Sequence, residues 1–191
     1  MSGHAENNAR DRAVGEHWER QFGALGGAFG KTMTAHQIGK DGRSAVAHYR
    51  GPDGEWKKLI LPDITVWSAS GEHHEIKHKN PTRDGCYGLE RYRLNSLVAF
   101  ANRTGQRVFY TIHDWQRAGC QSSGDACENR VEDWVTADVA VLSCRWTKER
   151  PGVSYVNGQR REGVPIVYWK ASEFFRPLAD LWGESHGEAA A

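Results

Sequence analysis

Apolar residues recur along the chain with two different periods, and the change of period separates predicted helices from predicted strands. Val14, Trp18, Phe22 and Leu25 lie three or four residues apart, which predicts a first helix over residues 11–25 with one apolar face. A pair of glycines follows this stripe and predicts the end of the helix. The first predicted element is therefore an amphipathic helix.

Short runs of β-type sequence follow the first helix and alternate with glycine-containing turns. Residues 31–38 and 43–50 are two such runs. Residues 60–67 and 72–79 are two more, and the small residues at 68–71 predict a turn between them. We therefore expect a central antiparallel hairpin into which the earlier strands lead.

The spacing of apolar residues returns to a helical period after Pro81. A second helix is predicted that stops near Thr104-Gly105, and its apolar positions are Leu89, Tyr92, Leu97, Val98 and Ala101. Residues 107–113 then read as a strand. The later predictions are a segment of either type at 131–135, strands at 137–144 and 164–169, and a closing helix at 172–181, capped by Ser172 and interrupted or restarted at Pro177.

This order of elements predicts one α/β domain with a central mixed β-sheet flanked by helices. The domain spans residues 11–182 and includes a polar, cysteine-containing excursion at residues 114–130. Residues 1–10 and 183–191 are polar or small and are predicted to be disordered ends. A chain of 191 residues with 39% hydrophobic residues and eight tryptophans is sufficient for one buried core.

Neither the apolar stretches nor the cysteines point to a membrane or to a secreted protein. No apolar stretch is long enough to cross a bilayer, and the N-terminal sequence lacks the apolar core of a signal peptide, so we expect a cytoplasmic protein. The four cysteines are irregularly spaced and are predicted to be free thiols. The spacing of Cys120 and Cys127 is wider than usual for zinc, and a structural zinc with Cys86, His113 or Cys144 is the alternative.

Positive charge is concentrated in residues 76–110, although the net charge of the whole chain is only +1. This segment holds seven Lys or Arg residues against two acids, so the rest of the chain is net negative. A basic segment beside a carboxylate cluster suits DNA, whose phosphates are drawn to bound cations. The candidate DNA-contacting residues are Lys79, Arg83, Arg91 and Arg93, and a solvated helix face is the alternative explanation of these charges.

Two motifs overlap in residues 61–80 and imply different chemistry. Asp63 at the start of one strand and Glu75-Ile76-Lys77 on the next can meet at one end of a hairpin. Read one residue earlier, His74-Glu75-x-x-His78 is the zinc-binding sequence of metallopeptidases, which works on a helix. Pro81 favours extended geometry before it, and in a strand Glu75 and Lys77 share one face while both histidines share the other. The zinc metallopeptidase is therefore kept as the alternative.

From about residue 12 to residue 115 the chain resembles the PD-(D/E)xK nuclease superfamily, which has a restriction-endonuclease-like αβββαβ core. The resemblance rests on a first-helix glutamate, on Pro62-Asp63, on Glu75-Ile76-Lys77 across the hairpin, and on the helix and strand that follow. It implies that Asp63 and Glu75 bind a divalent metal and that Lys77 is the lysine of the motif. A salt bridge between Asp63 and Lys77 across a hairpin is the purely structural alternative.

The resemblance also implies a glutamate on the first helix and a polar residue on the helix after the lysine strand. Glu19 is the preferred helix acid, because its distance to the following apolar residues matches the family, and Glu16 is the alternative. The glutamine common in the second helix is missing from this chain. Arg93 is the candidate for that position.

The function implied by the resemblance is that of a divalent-metal-dependent DNA nuclease, and more specifically an endonuclease. Mg²⁺, or Mn²⁺ in its place, would be held by oxygen ligands from Asp63, Glu75, Glu19 and the carbonyl of Ile76. Lys77 lies beside carboxylates, so it is expected to keep its proton and to stabilise developing charge. Junction resolvases, restriction or repair nucleases and mobile-element nucleases all fit such a site, and a homodimer would bring two sites to two strands. A catalytically inactive nucleic-acid-binding module is the remaining alternative.

Overall fold

In a computed structural model of the protein, residues 3–36, 45–67, 71–120, 127–156 and 159–187 are described. The helices are α1 (Gly3–Ala28), α2 (Arg91–Thr104), α3 (Val139–Cys144), α4 (Ala171–Phe174) and α5 (Leu178–Gly187). The strands are β1 (Thr32–Ala35), β2 (Val46–Arg50), β3 (Trp56–Ile60), β4 (Ile64–Trp67), β5 (Glu72–Lys79), β6 (Cys86–Glu90), β7 (Arg107–Asp114), β8 (Trp134–Asp138), β9 (Lys148–Val156), β10 (Gln159–Lys170) and β11 (Arg176–Pro177).

A six-stranded mixed sheet with the order β1-β4-β5-β7-β8-β11 forms the centre of the fold. Strands β5 and β7 are parallel, and the other neighbouring pairs are antiparallel. Because a parallel pair needs a crossover, the chain passes through β6 and α2 before it returns as β7. The predicted α/β fold class, a central mixed sheet flanked by helices, is confirmed. Strands β6, β10 and β9 form a second sheet, and β2 and β3 form a separate two-stranded ribbon.

Each face of the central sheet is covered by helices and buries its own apolar cluster. On one face, Trp18 and Phe22 of α1 and Trp182 of α5 pack against the sheet. On the other face, Leu97 of α2 and Leu142 of α3 do the same. Side chains that alternate along one strand therefore enter different clusters, as expected for a sheet covered on both sides.

Several element boundaries differ from those that the sequence predicted. Helix α1 begins at Gly3 and so includes most of the segment predicted to be a disordered end, because that segment is free of proline and rich in helix-tolerant residues. Helix α5 likewise continues to Gly187, past the predicted end of the domain. The predicted strand at residues 60–67 is divided, since β3 ends at Ile60 and β4 begins at Ile64. Most of the predicted turn at 68–71 lies outside the described residues.

Three predictions of element type are wrong in part. Leu89 belongs to β6, where it pairs with Val167 of β10, and α2 starts only at Arg91. Residues 139–144 form a helix because the side chain of Asp138 accepts a hydrogen bond from the N–H of Ala140 and caps it. The predicted closing helix is broken into α4, β11 and α5, and Ser172 lies inside α4. The break at Pro177 is as predicted.

The prediction of four free thiols is wrong for Cys120 and Cys127, which form a disulfide with their Cα atoms 6.0 Å apart. That separation is within the range that a disulfide spans. Cys86 is buried and Cys144 is exposed, and both are free. Cys120 and Cys127 are both taken up by the disulfide, so the alternative of a structural zinc receives no support. Within the described residues no three His, Cys, Asp or Glu side chains are already arranged as ligands of one metal ion, so a cation at Asp63, Glu75 and Glu19 would have to draw these carboxylates together.

Among the described residues, none of the helices combines the length and the apolar character needed to cross a bilayer.

Candidate active site

Strands β4 and β5 bring Asp63 and Glu75 to the same end of their hairpin. Ile64 pairs with His74, so the register continued by one residue places Asp63 opposite Glu75. The backbone N–H of Ile76 donates to Oδ2 of Asp63 over 2.8 Å. This bond fixes the aspartate at the point where pairing between β4 and β5 stops. The hairpin expected from the sequence is present.

Side chains on β5 alternate between the two faces of the sheet, which separates the two overlapping motifs. His74 is fully buried, and its Nδ1 lies 2.8 Å from Oγ1 of Thr111. His78 stacks on Trp18 of α1, with the ring centroids 4.4 Å apart. Since the two histidines lie on a strand and not one helical turn apart, the zinc-binding geometry of a metallopeptidase is not formed.

Two cations hold the carboxylate of Glu75, whose side chain is only 1% exposed. Nζ of Lys77 lies 2.8 Å from Oε1. The guanidinium of Arg93 on α2 donates from Nε to Oε1 over 2.8 Å and from Nη2 to Oε2. Burial alone would raise the pKa of Glu75, but Lys77 and Arg93 outweigh it and hold the pKa at about 2. Glu75 is therefore an anion at neutral pH.

Arg93 and Lys77 also reach the second carboxylate. Nη2 of Arg93 lies 3.6 Å from Oδ1 of Asp63 and donates to the carbonyl of Leu61 over 3.0 Å. Nζ of Lys77 lies 3.9 Å from Oδ2 of Asp63. Burial favours the neutral form of Lys77, but Glu75 and Asp63 reverse that effect and raise its pKa above the ordinary value. A lysine with a raised pKa keeps its proton and cannot serve as a base at neutral pH.

The helix acid lies beside these groups. Glu19 of α1 lines a cavity of about 540 Å³ that is also lined by Asp63, Glu75 and Lys77. Burial, followed by the negative charge of Asp63, raises the pKa of Glu19 to about 7. Glu16 lines a neighbouring pocket that it shares with Glu19, but not the cavity of Asp63 and Glu75. The geometry thus favours Glu19 over Glu16 as the partner of this cluster.

The oxygen atoms around the cavity could serve as ligands of a divalent cation. Burial, followed by the charge of Glu75, raises the pKa of Asp63 to about 6, so Asp63 and Glu19 are two poorly solvated carboxyls near each other. The carbonyl of Ile76 points to the same side of the strand as its N–H, which faces Asp63. These hard oxygen donors suit Mg²⁺ or Mn²⁺. Both oxygens of Glu75 are taken by Arg93 and Lys77, so Glu75 would have to share its lone pairs to become a ligand.

The predicted DNA-contacting residues occupy different environments. Lys79 points inward, where its Nζ donates to the carbonyl of Gly88 over 2.7 Å, and burial lowers its pKa to about 8. Arg93 is buried at the carboxylates. Arg91 is on the surface but binds Glu149 over 3.0 Å. Of these four residues, Arg83 in the turn before β6 is the one that is both exposed and without an ion pair within the described part of the chain.

His36, which was not predicted as a site residue, supports the loop that carries Asp63. Nδ1 of His36 lies 2.8 Å from the carbonyl of Pro62, and its Nε2 lies 2.9 Å from Oγ1 of Thr65. His36 also lines the cavity. It follows β1, far from the motif in sequence, so no local pattern identified it.

Known proteins were similar to this chain in structure but not in sequence. No family model matches the chain, and no curated protein matches it. Among solved structures, the chain is similar to Hjc, a Holliday junction resolvase from Archaeoglobus fulgidus, with 13% sequence identity and a TM-score of 0.48. The similarity covers 88% of this chain and 95% of that one. A sequence identity and a TM-score this low do not assign a function to the chain.

The raised pKa values of Asp63 and Glu19 predict how stability depends on pH without metal. Their folded pKa values, about 6 and about 7, exceed the ordinary values of 3.8 and 4.5. Between those values the folded protein holds more protons than the unfolded chain, so stability falls as pH rises through this window. Between about pH 5 and pH 7 in EDTA, the wild type should lose on the order of 1 kcal/mol more than Asp63→Asn, which keeps Glu19 but lacks the carboxyl at residue 63.

Urea denaturation at several pH values in EDTA measures this difference. Every other ionisable residue is common to the two proteins, so the comparison isolates the contribution of the Asp63 carboxyl. Identical pH profiles for the two proteins would contradict the prediction.

Proposed function

We propose that the protein is a divalent-metal-dependent DNA endonuclease that hydrolyses phosphodiester bonds. The observation that carries this proposal is the convergence of Asp63, Glu75 and Lys77 at one end of the β4–β5 hairpin, with Glu19 in the same cavity. Two carboxylates beside a protonated lysine provide oxygen ligands for a cation and a positive charge for a phosphate. A salt bridge that only stabilised a hairpin would not require the additional half-buried acid from α1.

The proposed roles follow from the contacts of each residue. Asp63, Glu19 and the Ile76 carbonyl would hold the cation, and Glu75 would join them at the side that faces Asp63. Lys77 would place its charge against the oxygens of the pentacoordinate transition state, since its pKa is raised and it keeps its proton. Arg93 is a positioning residue, because it fixes the orientation of Glu75 and ties it to the Leu61 carbonyl.

A bound Mg²⁺ or Mn²⁺ would supply an acidified water as nucleophile and would neutralise charge on the phosphate. The raised pKa values of Asp63 and Glu19 support a cation site here. Burial and neighbouring carboxylates disfavour the charged forms of both groups, and a bound cation would stabilise those charged forms. The finer class within the nucleases, such as junction resolvase or repair, restriction or mobile-element nuclease, is a question of substrate. A homodimer is proposed as well, since cutting both strands of a duplex needs two sites.

A substrate panel tests the proposed function. Supercoiled, linear, single-stranded and four-way-junction DNA are incubated with the protein in Mg²⁺, Mn²⁺ or EDTA, beside Asp63→Ala as a control for contaminating nucleases. We expect cleavage that needs the metal and disappears in Asp63→Ala. Intact DNA on every substrate would refute the nuclease, and binding without cleavage would indicate a nucleic-acid-binding module. The substrate that is cut fastest, with the mass in solution, names the subclass and the oligomeric state.

Metal binding is predicted independently of cleavage. A ligand that binds only the folded state stabilises it, by about 2.7 kcal/mol at a ligand concentration of 100 times Kd. Titration with Mg²⁺ or Mn²⁺ should therefore raise the melting temperature of the wild type. In Asp63→Asn the rise should be largely lost, because a ligand charge is gone. An equal rise in both proteins would place the ion somewhere else.

A further inference from the structure

Strands β2 and β3 form a two-stranded ribbon that pairs with no strand of the central sheet. One face of the ribbon is anchored to the body of the protein. Leu59 on that face is buried in the cluster beneath α2, and Tyr49 packs against the same cluster. Arg103 of α2 lies over the ring of Tyr49, with its Cζ 4.5 Å from the ring centroid. The ribbon is therefore held in place by its inner face.

The outer face of the ribbon carries aromatic and basic side chains. Three cross-strand pairs lie on this face: the apolar pair of Val46 and Ile60 at its base, and then His48 with Lys58 and Arg50 with Trp56. The last two pairs carry the aromatic and basic side chains. All four residues are exposed, and the side chain of Trp56 is 73% exposed. Neither strand contains an acidic residue. The ribbon therefore presents an exposed indole beside cations, the combination by which proteins hold single-stranded nucleic acid.

The charged groups near the ribbon leave this face positive. Lys57 points to the inner side and pairs with Asp53 of the turn over 2.7 Å. Glu55, the other acid of the turn, is exposed beside Trp56. Arg50 donates from Nε to the carbonyl of Gly54 over 2.9 Å, a bond that leaves its positive charge uncompensated. Lys58 has no recorded ion pair within the described part of the chain.

The ribbon begins at the wall of the cavity that holds the carboxylates. The residues that flank it, Ala45 and Leu61, both line that cavity and are joined by a hydrogen bond of 2.9 Å from the N–H of Leu61 to the carbonyl of Ala45. Leu61 accepts the bond from Arg93, and Asp63 follows two residues later. The base of the ribbon is thus attached to the wall of the candidate active site.

We propose that the outer face of the ribbon binds a single-stranded segment of the nucleic acid whose scissile phosphate enters the cavity. Arg50, Lys58 and His48 would contact phosphates, and Trp56 would stack on a base. Stacking on an exposed indole needs a base whose face is free, and this condition selects unpaired over duplex DNA. Five residues per strand span roughly 17 Å, enough for about three to five nucleotides. This inference rests on the proposed nuclease function and defines the form of its substrate.

The test measures binding without cleavage. The full-length protein is titrated in EDTA against a fluorescein-labelled oligothymidylate and against a labelled duplex, and anisotropy gives the two dissociation constants. Trp56→Ala should weaken binding of the single strand about tenfold, from the loss of base stacking. Lys58→Ala should weaken it and should reduce the slope of log Kd against log salt by about 0.7 for one lost phosphate contact.

Two matched control variants accompany these changes. Trp67→Ala removes another exposed tryptophan, 61% exposed on β4, and Lys57→Ala removes the same charge from the inner side of the ribbon. Both should bind the oligothymidylate as the wild type does. All four positions are on the surface, and circular dichroism checks that each variant is folded.

The outcomes separate this inference from the proposed function. Weaker single-strand binding in Trp56→Ala and Lys58→Ala alone supports the ribbon as a binding surface, even if the protein cuts nothing. Unchanged binding in both variants overturns it, even if metal-dependent cleavage is observed. Equal weakening for the duplex and for the single strand overturns the preference for unpaired DNA.

Discussion

Replacement of Lys77 by methionine is expected to slow metal-dependent DNA cleavage about a thousandfold, as found when a donor to the transition-state charge is removed. The lysine is held with Nζ 2.8 Å from Glu75 and 3.9 Å from Asp63, and their charges raise its pKa. Its charge is therefore present at neutral pH and fixed before the substrate arrives. Methionine keeps much of the apolar length of the side chain and removes only the charge and the hydrogen-bond donors.

The kinetic pattern distinguishes this role from a role in binding. Single-turnover cleavage measured over a range of protein concentrations should show a lower maximal rate with DNA affinity changed only severalfold. Lys77→Arg should recover part of the rate, because it restores a positive charge at a displaced position. Lys57→Met, a surface lysine paired with Asp53, is the matched control and should cut at the wild-type rate. A maximal rate in Lys77→Met equal to that of the wild type would remove the lysine from the mechanism.

The hairpin at the site could be predicted because its signals are local. Gly71 adopts a φ of 61°, which glycine accepts without strain, and Pro81 follows the strand closely. These two residues bracket β5 at Glu72–Lys79, the bounds that the sequence predicts. Once β5 is a strand, alternation separates Glu75 and Lys77 from His74 and His78. The choice between the two motifs therefore required only the residues of the segment itself.

Elements that depend on distant partners were not predicted. The strand character of Leu89 arises from pairing with Val167, which lies far along the chain, while its own neighbours fit a helical period. His36 supports Asp63 only after β1 is placed beside β4. The helix at residues 139–144 is a different case, because Asp138 is a local capping signal that the apolar run concealed. Tertiary pairing explains the first two differences, and competition between local signals explains the third.

Arg93 is the residue of α2 that contacts the carboxylates of the candidate site. A glutamine, lysine or arginine was expected there, with Arg93 as the candidate, and its guanidinium reaches both carboxylates and the carbonyl of Leu61. An arginine there adds a full charge to a buried acid, whereas glutamine would add only dipoles. The carboxylates proposed to bind the cation consequently also belong to a buried ion-pair network, and removal of Arg93 is expected to affect the fold itself.

Arg93→Met is expected to lower the free energy of unfolding by about 3 kcal/mol at neutral pH, because it leaves a buried carboxylate without its main partner. Glu75 is 1% exposed and would keep only Lys77 as a cationic neighbour, which places the loss at the lower end of the range for broken buried pairs. Arg91→Met is the matched control. Arg91 pairs with Glu149 on the surface, with its side chain 47% exposed, so this change should cost at most about 1 kcal/mol.

The pH dependence of this loss identifies its cause. In the wild type the pKa of Glu75 is held at about 2, below the ordinary 4.5, so its contribution to stability is complete above the ordinary value and is lost as pH falls towards 2. Without Arg93 the pKa of Glu75 rises, and protonation relieves the buried charge. The difference in stability between Arg93→Met and the wild type should therefore narrow as pH falls below 4.5, as followed by urea denaturation. Adding Glu75→Gln to Arg93→Met should recover part of the loss at neutral pH, because an amide is cheaper to bury than an unpaired carboxylate. A difference that is constant with pH would assign the loss to the packing of the arginine side chain and not to its charge.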